Sequence, residues 1–403
     1  MNVMSFIFFI AGMWESIGPY GGPIYTFGPA PSDDSLIYIA TYSSPATILR
    51  TTDQGNSWVK RGKIEGYVFS LAVSPNNPDV LYAGGYQKIA RSTDGGMSWS
   101  EIQIGGNYIY DIIINPKDPS ILYAVSTQEV GLYNYIALLK STDGGTTWRI
   151  KVVNDTNRGI GYSLALDPAD PGTIYVGGGI YTTTSIPALY KSTDGGGSFF
   201  DASAGIDSGN YVYALAIHPE TPETLYAGTF YGYIYRSIDG GGSWNRVYHG
   251  SLLSSLTTSP CEPDAVYAGA DTIIYKSTDA GATWFEVGTG YGKFYKSYRD
   301  LFTSRNIPGV LLTCDYEGCF KSTDGGGHWA EINQGINISF IYTIGISPHD
   351  PATLYTEYNA IYKSTNNGSD WQKLPTPLDC GNLCAFAFHN SDPDIILTLE
   401  GKG

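Results

Sequence analysis

Basic residues are scarce in this chain. Lys and Arg total 23 against 38 Asp and Glu over 403 residues, a formal charge of −15. A surface of that sign repels phosphate backbones and anionic headgroups, which excludes nucleic acid as a partner. No apolar run is long enough for an integral membrane span. The run nearest the N-terminus, Val3 to Ala11 in "MNVMSFIFFIAG", has nine residues, too short for a bilayer and long enough for a signal-peptide core. No Lys or Arg precedes it and the cleavage pattern around Ala11 and Gly12 is poor, so an apolar first strand is the competing reading. Residues 1–13 are therefore read as a leader, and a secreted, extracytoplasmic protein is expected.

Cysteine is sparse too. Of five, Cys314 and Cys319 flank "DYEG", Cys380 and Cys384 flank "GNL", and Cys261 is left over. The two close pairs are read as disulfides of an oxidising compartment. Neither spacing is CxxC and no histidine lies close in sequence to either pair, so no metal site is expected, and no cofactor. Long stretches of good helix formers are also missing, whereas Gly, Pro and Tyr number 50, 22 and 33. That composition describes many short strands joined by tight turns.

What the chain has in abundance is one phrase. "RSTDGGMSW" from Arg91 returns as "KSTDGGTTW" from Lys140, "KSTDGGGSF" from Lys191 and "KSTDGGGHW" from Lys321. The aspartates of successive boxes are Asp53, Asp94, Asp143, Asp194, Asp239, Asp279 and Asp324, and an eighth copy carries Asn366 in that place. Intervals of 40 to 51 residues suit four short strands with their turns. A second phrase opens each unit, as in "VFSLAVSPNNPDVLYAGG" from Val68. Its alternation of Phe69, Leu71 and Val73 with small residues reads as a strand, its PxxP segment as a turn, and "VLYAGG" as the next strand. A third strand leads into the box, and the box turns the chain into the fourth. A four-stranded meander cannot bury both faces alone, so copies stack radially into an all-β propeller.

The box itself reads as a turn. Its aspartate accepts backbone and hydroxyl hydrogen bonds, its glycines supply positive φ, and its Trp anchors neighbouring sheets. Catalysis is not expected there, because no copy pairs its Asp with a second acid, base or nucleophile at a fixed spacing.

The pattern S/T-x-D-x-G-x-S/T-W resembles the Asp box, or bacterial neuraminidase repeat, across residues 14–374. The resemblance implies a β-propeller and functions as varied as sialidases, xyloglucanase-type glycoside hydrolases, sortilin-like receptors and photosystem II assembly factors. It also implies that the boxes lie away from the binding site. Phe199, His328, Asp370 and Asn366 depart from the pattern. The arginine triad and Arg-Ile-Pro motif that a sialidase resemblance would require are not evident.

Eight boxes but nine opening hairpins leave the blade count open. An eight-bladed ring over 14–403 is expected, with Trp14 to Ile17 joining the C-terminal hairpin; nine blades is the alternative. In a propeller the two-to-three and four-to-one loops share one face, opposite the boxes. Tyr133, Tyr135, Tyr181, Tyr231, Tyr291, Tyr295 and Tyr298 lie in those loops as candidate ligand-stacking residues. Asp155, Asp207, Asp300, Asp315 and Glu317 lie beside them as candidate catalytic carboxylates. The expected function is a secreted, non-catalytic propeller binding a protein or carbohydrate ligand through that face. The alternative is a secreted glycoside hydrolase using two of the loop carboxylates.

Overall fold

The computed structural model describes residues 23–131, 133–154, 158–180, 187–270, 273–289, 301–314, 318–333, 343–347, 350, 352–357, 361–366, 371–374, 383–388 and 396–400. Gly21–Ile336 forms one compact unit, and Asn337–Gly403 groups with Met1–Tyr20 in a second. The expected leader 1–13 and the strand at Trp14 to Ile17 lie outside the described residues.

The chain is all β, and its blades are four-stranded antiparallel meanders in which strand order follows chain order. The first runs Ile24–Ala30, Asp33–Thr41, Ala46–Thr51 and Val59–Ile64. Four more such sheets follow between Gly159 and Glu331. Between the first and these lies a six-stranded sheet, Val68 to Val152, holding two repeat units run together. Leu81–Ser92 carries strands two and three of one unit, and Ser100–Ile114 carries its strand four and strand one of the next. Seven box-bearing repeats therefore lie within Gly21–Ile336. In the second unit, Thr343–Lys373 gives a four-stranded sheet and Leu383–Glu400 a two-stranded one.

The box aspartates close their turns as expected. Asp143 accepts from the Ser141 hydroxyl at 2.8 Å, the Thr146 and Thr147 amides at 3.0 and 2.9 Å, and the Thr147 hydroxyl at 2.6 Å. Asn366 keeps part of the pattern, accepting from the Ser364 hydroxyl at 3.0 Å. His328, where other copies have Ser or Thr, places Nδ1 2.6 Å from Asp324.

Each box also docks the preceding unit. The buried Tyr82, Tyr175 and Tyr226 donate to Gly144, Gly240 and Ala280 carbonyls at 2.8 to 2.9 Å. The lysines before the boxes reach the same turns, Lys140 to Gly195 and Lys191 to Gly240, both at 2.7 Å. Gly145 shows why the turn needs glycine twice over: its φ is +79°, and a Cβ there would overlap the Tyr82 ring. Apolar packing repeats the same pairing. Tyr175 and Leu189 of one unit pack with Val212, Leu225, Tyr235 and Trp244 of the next.

These contacts close the seam between the first and seventh repeats. Lys321, before the seventh box, donates to Gln54 in the first at 3.0 Å, as Lys140 and Lys191 do to their successors. Trp58 Nε1 donates to Ile332 O at 2.7 Å, matching Trp244 to Ala202 O at 2.8 Å. The buried Asp34 carboxylate accepts from the Ser304 hydroxyl and the Arg305 and Asn306 amides at 2.7, 2.8 and 3.0 Å.

Two predictions follow from this architecture. Trp58 and Trp244 do the same work at two junctions, so replacement by Ala is expected to cost about 3 to 5 kcal/mol at each in denaturant unfolding. A cost below about 1 kcal/mol at Trp58 alone would mean that the seam is not closed there. The second concerns acid. Hydroxyl donors, Ser98, Thr147, Ser243 and Thr283 first, hold Asp94, Asp143, Asp239 and Asp279 at about 2. Because the folded value lies below the unfolded one of roughly 3.9, the stabilisation is present above about pH 4 and is lost as pH falls toward 2. The unfolding temperature should drop across that window, and Asp143→Asn should flatten the drop.

Candidate functional site

The innermost strands carry a device that simple alternation conceals. In six consecutive repeats the pairing of strand one with strand two slips by a residue, between Ile24 and Thr26, Val68 and Ser70, Ile109 and Asp111, Gly161 and Ser163, Val212 and Ala214, and Leu253 and Ser255. The skipped residues are Tyr25, Phe69, Tyr110, Tyr162, Tyr213 and Ser254. A bulge re-aims the side chain of its extra residue and bends the strand. Here it takes an aromatic ring out of the sheet's alternation and brings it to the central channel. Phe69, grouped by its spacing with Leu71 and Val73, is half-buried while both of those are buried.

The rings form a continuous arc. Tyr25 meets Phe69 edge-on with centroids 5.1 Å apart, Phe69 meets Tyr110 at 6.1 Å, and Tyr110 meets Tyr162 at 5.5 Å. Tyr162 stacks on Tyr213 at 4.2 Å and 16°. Phe230 then links Tyr213, at 5.3 Å, to Tyr231, at 5.2 Å. At the other end Tyr42 stacks on Tyr25 at 5.3 Å and contacts Tyr67 at 5.0 Å. Tyr67 and Tyr231 are 42% and 52% exposed, so the arc opens to solvent at both ends. Apolar ring faces of this kind accept the C–H face of a sugar.

Inside the arc lies a cavity of about 280 Å³ lined by first-strand residues of all seven repeats, from Tyr25 to Phe302. Its layers follow the strand register. Beside the aromatic residues come Thr26, Ser70, Asp111, Ser163, Ala214 and Ser255, and then Phe27, Leu71, Leu164, Leu215, Leu256 and Leu301. Asp111 is the one carboxylate among the described lining residues, and its Oδ2 accepts from the Leu164 amide of the next unit at 2.9 Å.

Of the residues singled out in the sequence, Tyr231 belongs to the arc. Tyr133, at the tip of the hairpin joining Leu122–Val130 to Tyr133–Ser141, lies under the Arg158 guanidinium 3.1 Å from its ring centroid. Tyr135 is half-buried opposite Gln128 in the same hairpin. Asp207 is held in the scaffold: its Oδ2 accepts from the Tyr235 hydroxyl at 2.9 Å and faces Arg246 Nη1 at 3.2 Å. Burial, and then the bond to Asp207, push the Tyr235 phenol up to about 12. Asp155, Tyr181, Tyr291, Tyr295, Tyr298, Asp300, Asp315, Glu317 and Cys380 lie outside the described residues. Cys314 and Cys319 stand directly opposite each other across adjacent strands, both buried. Among the described residues no group of three His, Cys, Asp or Glu could hold a metal ion, and no helix is long and apolar enough to cross a membrane.

No protein-family model matches the chain. It is 29% identical over 171 residues to a xyloglucanase of Hypocrea jecorina, covering 40% of this chain and 17% of that protein. It is 28% identical over 159 residues to a xyloglucanase of Acetivibrio thermocellus, covering 30% and 19%. The matching segments thus span under a fifth of these relatives' length. Among solved structures, an ancestral GH74 enzyme superposes with a TM-score of 0.76 at 16% identity, over 98% of this chain and 60% of its own. The GH74 xyloglucanase of Xanthomonas campestris gives 0.53 at 16% identity, over 90% and 68%. YCF48 bound to D1 peptide gives 0.52 at 16%, over 76% and 94%. These likenesses agree with the propeller fold.

Since Asp207 is tied to Tyr235 and Arg246, Asp207→Ala is expected to lower the unfolding temperature by about 2 °C, the size of an exposed ion pair in a domain this large. No change in a thermal melt would mean that these contacts do not hold the side chain in solution.

Proposed function

We propose that this chain is a polysaccharide-binding propeller of the glycoside-hydrolase kind, acting outside the cytoplasm on a neutral glycan. The observation that carries this is the aromatic arc from Tyr67 through Tyr25, Phe69, Tyr110, Tyr162 and Tyr213 to Tyr231. Sugar rings can stack on its exposed ends at Tyr67 and Tyr231, and an acidic surface with few cations disfavours a polyanion. The xyloglucanase names of the curated relatives support xyloglucan-like chains as the ligand and hydrolysis as the activity, placing the hydrolase ahead of the purely binding protein. Hydrolysis needs two carboxylates flanking the scissile bond, about 5 to 10 Å apart. Asp155, Asp300, Asp315 and Glu317 remain the loop candidates for that pair. In the same reading the repeats are Asp boxes and the ring counts seven blades, since the seam contacts of the seventh repeat match those at other junctions.

Affinity electrophoresis and a reducing-sugar assay on xyloglucan test both halves. Binding is expected, and Tyr67→Ala and Tyr231→Ala should each weaken it about tenfold, the upper range for one stacked aromatic. Binding without turnover would return the chain to the non-catalytic class. No binding to xyloglucan or other neutral polysaccharides would overturn the proposal.

A further inference from the structure

We propose that Tyr86 and Tyr108 form a further docking platform for a neutral polysaccharide, on which a chain continues outward from the channel mouth over the second repeat. The inference rests on the polysaccharide-binding reading of the arc and adds a surface outside it.

The platform sits where the repeat loses its loops. In the other repeats of Gly21–Ile336 strands two and three are separate elements, as are strand four and the next strand one. Leu81–Ser92 and Ser100–Ile114 instead run unbroken through those two corners, and their ladder sets Tyr86 directly opposite Tyr108. Both residues are thereby fixed on hydrogen-bonded backbone where other repeats have a variable loop. Their side chains are 49% and 40% exposed, with ring centroids 5.1 Å apart at 52°. Tyr108 reaches inward to Phe69 at 5.1 Å and to Tyr110 at 5.6 Å, so the pair branches from the arc between two of its members. Tyr67 stands beside it, its carbonyl passing so close to Gly85 that a Cβ there would lie 3.1 Å away. Three exposed tyrosines thus gather at this end of the arc, against Tyr231 at the other. Large rings left in water side by side are the mark of a binding surface. Charge selects the polymer. Lys88, two residues from Tyr86, is buried and paired with Glu101 at 2.6 Å, so it offers no free cation to an acidic chain, and Glu65, two residues before Tyr67, is exposed. A tyrosine presents an apolar face with a hydroxyl at its rim, which matches the C–H face and hydroxyl edge of a neutral sugar.

Affinity electrophoresis of the full chain in xyloglucan, with thermal melts and sedimentation of each variant, tests the platform. The double change Tyr86→Ala and Tyr108→Ala should weaken binding at least about tenfold. Tyr86→Phe with Tyr108→Phe keeps the ring faces and should bind within about twofold of the wild type. Both pairs should melt within about 3 °C of the wild type, because the rings are half in solvent already. Should the Ala pair fail to fold, Tyr86→Ala alone, the more exposed ring, carries the test with an expected loss of at least about threefold. Wild-type affinity in the Ala variants, together with loss in Tyr231→Ala, would overturn the platform and leave the arc standing. Loss in the Ala variants with wild-type affinity in Tyr67→Ala and Tyr231→Ala would keep the platform and sink the reading of the arc's ends. Loss that the Phe pair does not restore would overturn stacking on these rings. Dimers that the Ala pair dissolves, with xyloglucan affinity unchanged, would overturn the platform in favour of a contact between two copies of the chain. Tighter binding of polygalacturonate than of xyloglucan would overturn the neutral class, and no binding of any neutral polysaccharide by the wild type would overturn platform and arc together.

Discussion

Everything in Gly21–Ile336 hangs on a grip between consecutive repeats, in which one unit donates hydrogen bonds to the turn carbonyls of the next unit's box. Tyr82 to Gly144, Tyr175 to Gly240 and Tyr226 to Ala280 are one contact made three times, and Lys140 and Lys191 make its charged counterpart. A meander of four strands has two faces to cover, and this grip sets how each lies against its neighbour while the apolar clusters fill the space between. The box glycines belong to the same device. Positive φ aims their carbonyls at the donors, and the missing Cβ admits the tyrosine ring.

Once the repeats are locked at fixed angles, their first strands converge on a common axis, and whatever those strands present there is repeated around a ring. The bulge exploits this. One extra residue per strand, too local to disturb the outer blade, delivers a side chain to the axis from six repeats in turn. The channel is thus a set of layers, each filled from the same register position, in which a single exceptional residue such as Asp111 or Ser254 is set in an otherwise uniform ring.

This explains which parts were legible in the sequence. Strand order, the box as a turn and the role of its aspartate are local properties, and period-two alternation with Gly and Pro punctuation reports them directly. Contact between repeats one and seven is not local: Trp58 and Ile332 are neighbours only in three dimensions. The arc was hidden for a different reason. Tyr25, Phe69, Tyr110, Tyr162 and Tyr213 sit inside strands, where aromatic residues are ordinary, and alternation assigns them to a packed face. A bulge breaks alternation by one residue and leaves no mark in composition. The available signal was the repetition itself, an aromatic residue just before the small residue of strand one in five repeats and a serine in the sixth. Of the described loop tyrosines Tyr231 belongs to the arc.

The two ends of the blades consequently carry different chemistry for a physical reason. At the box end each box aspartate is committed to three or four donors within its own turn, which holds it ionised and leaves it no proton to give. A general acid needs the opposite setting, with few donors and partial burial that raise its pKa. At the collar end the strands begin, the loops vary from repeat to repeat, and aromatic surface excludes water from one side. In the two-to-three and four-to-one loops the repeat no longer dictates which residue stands where.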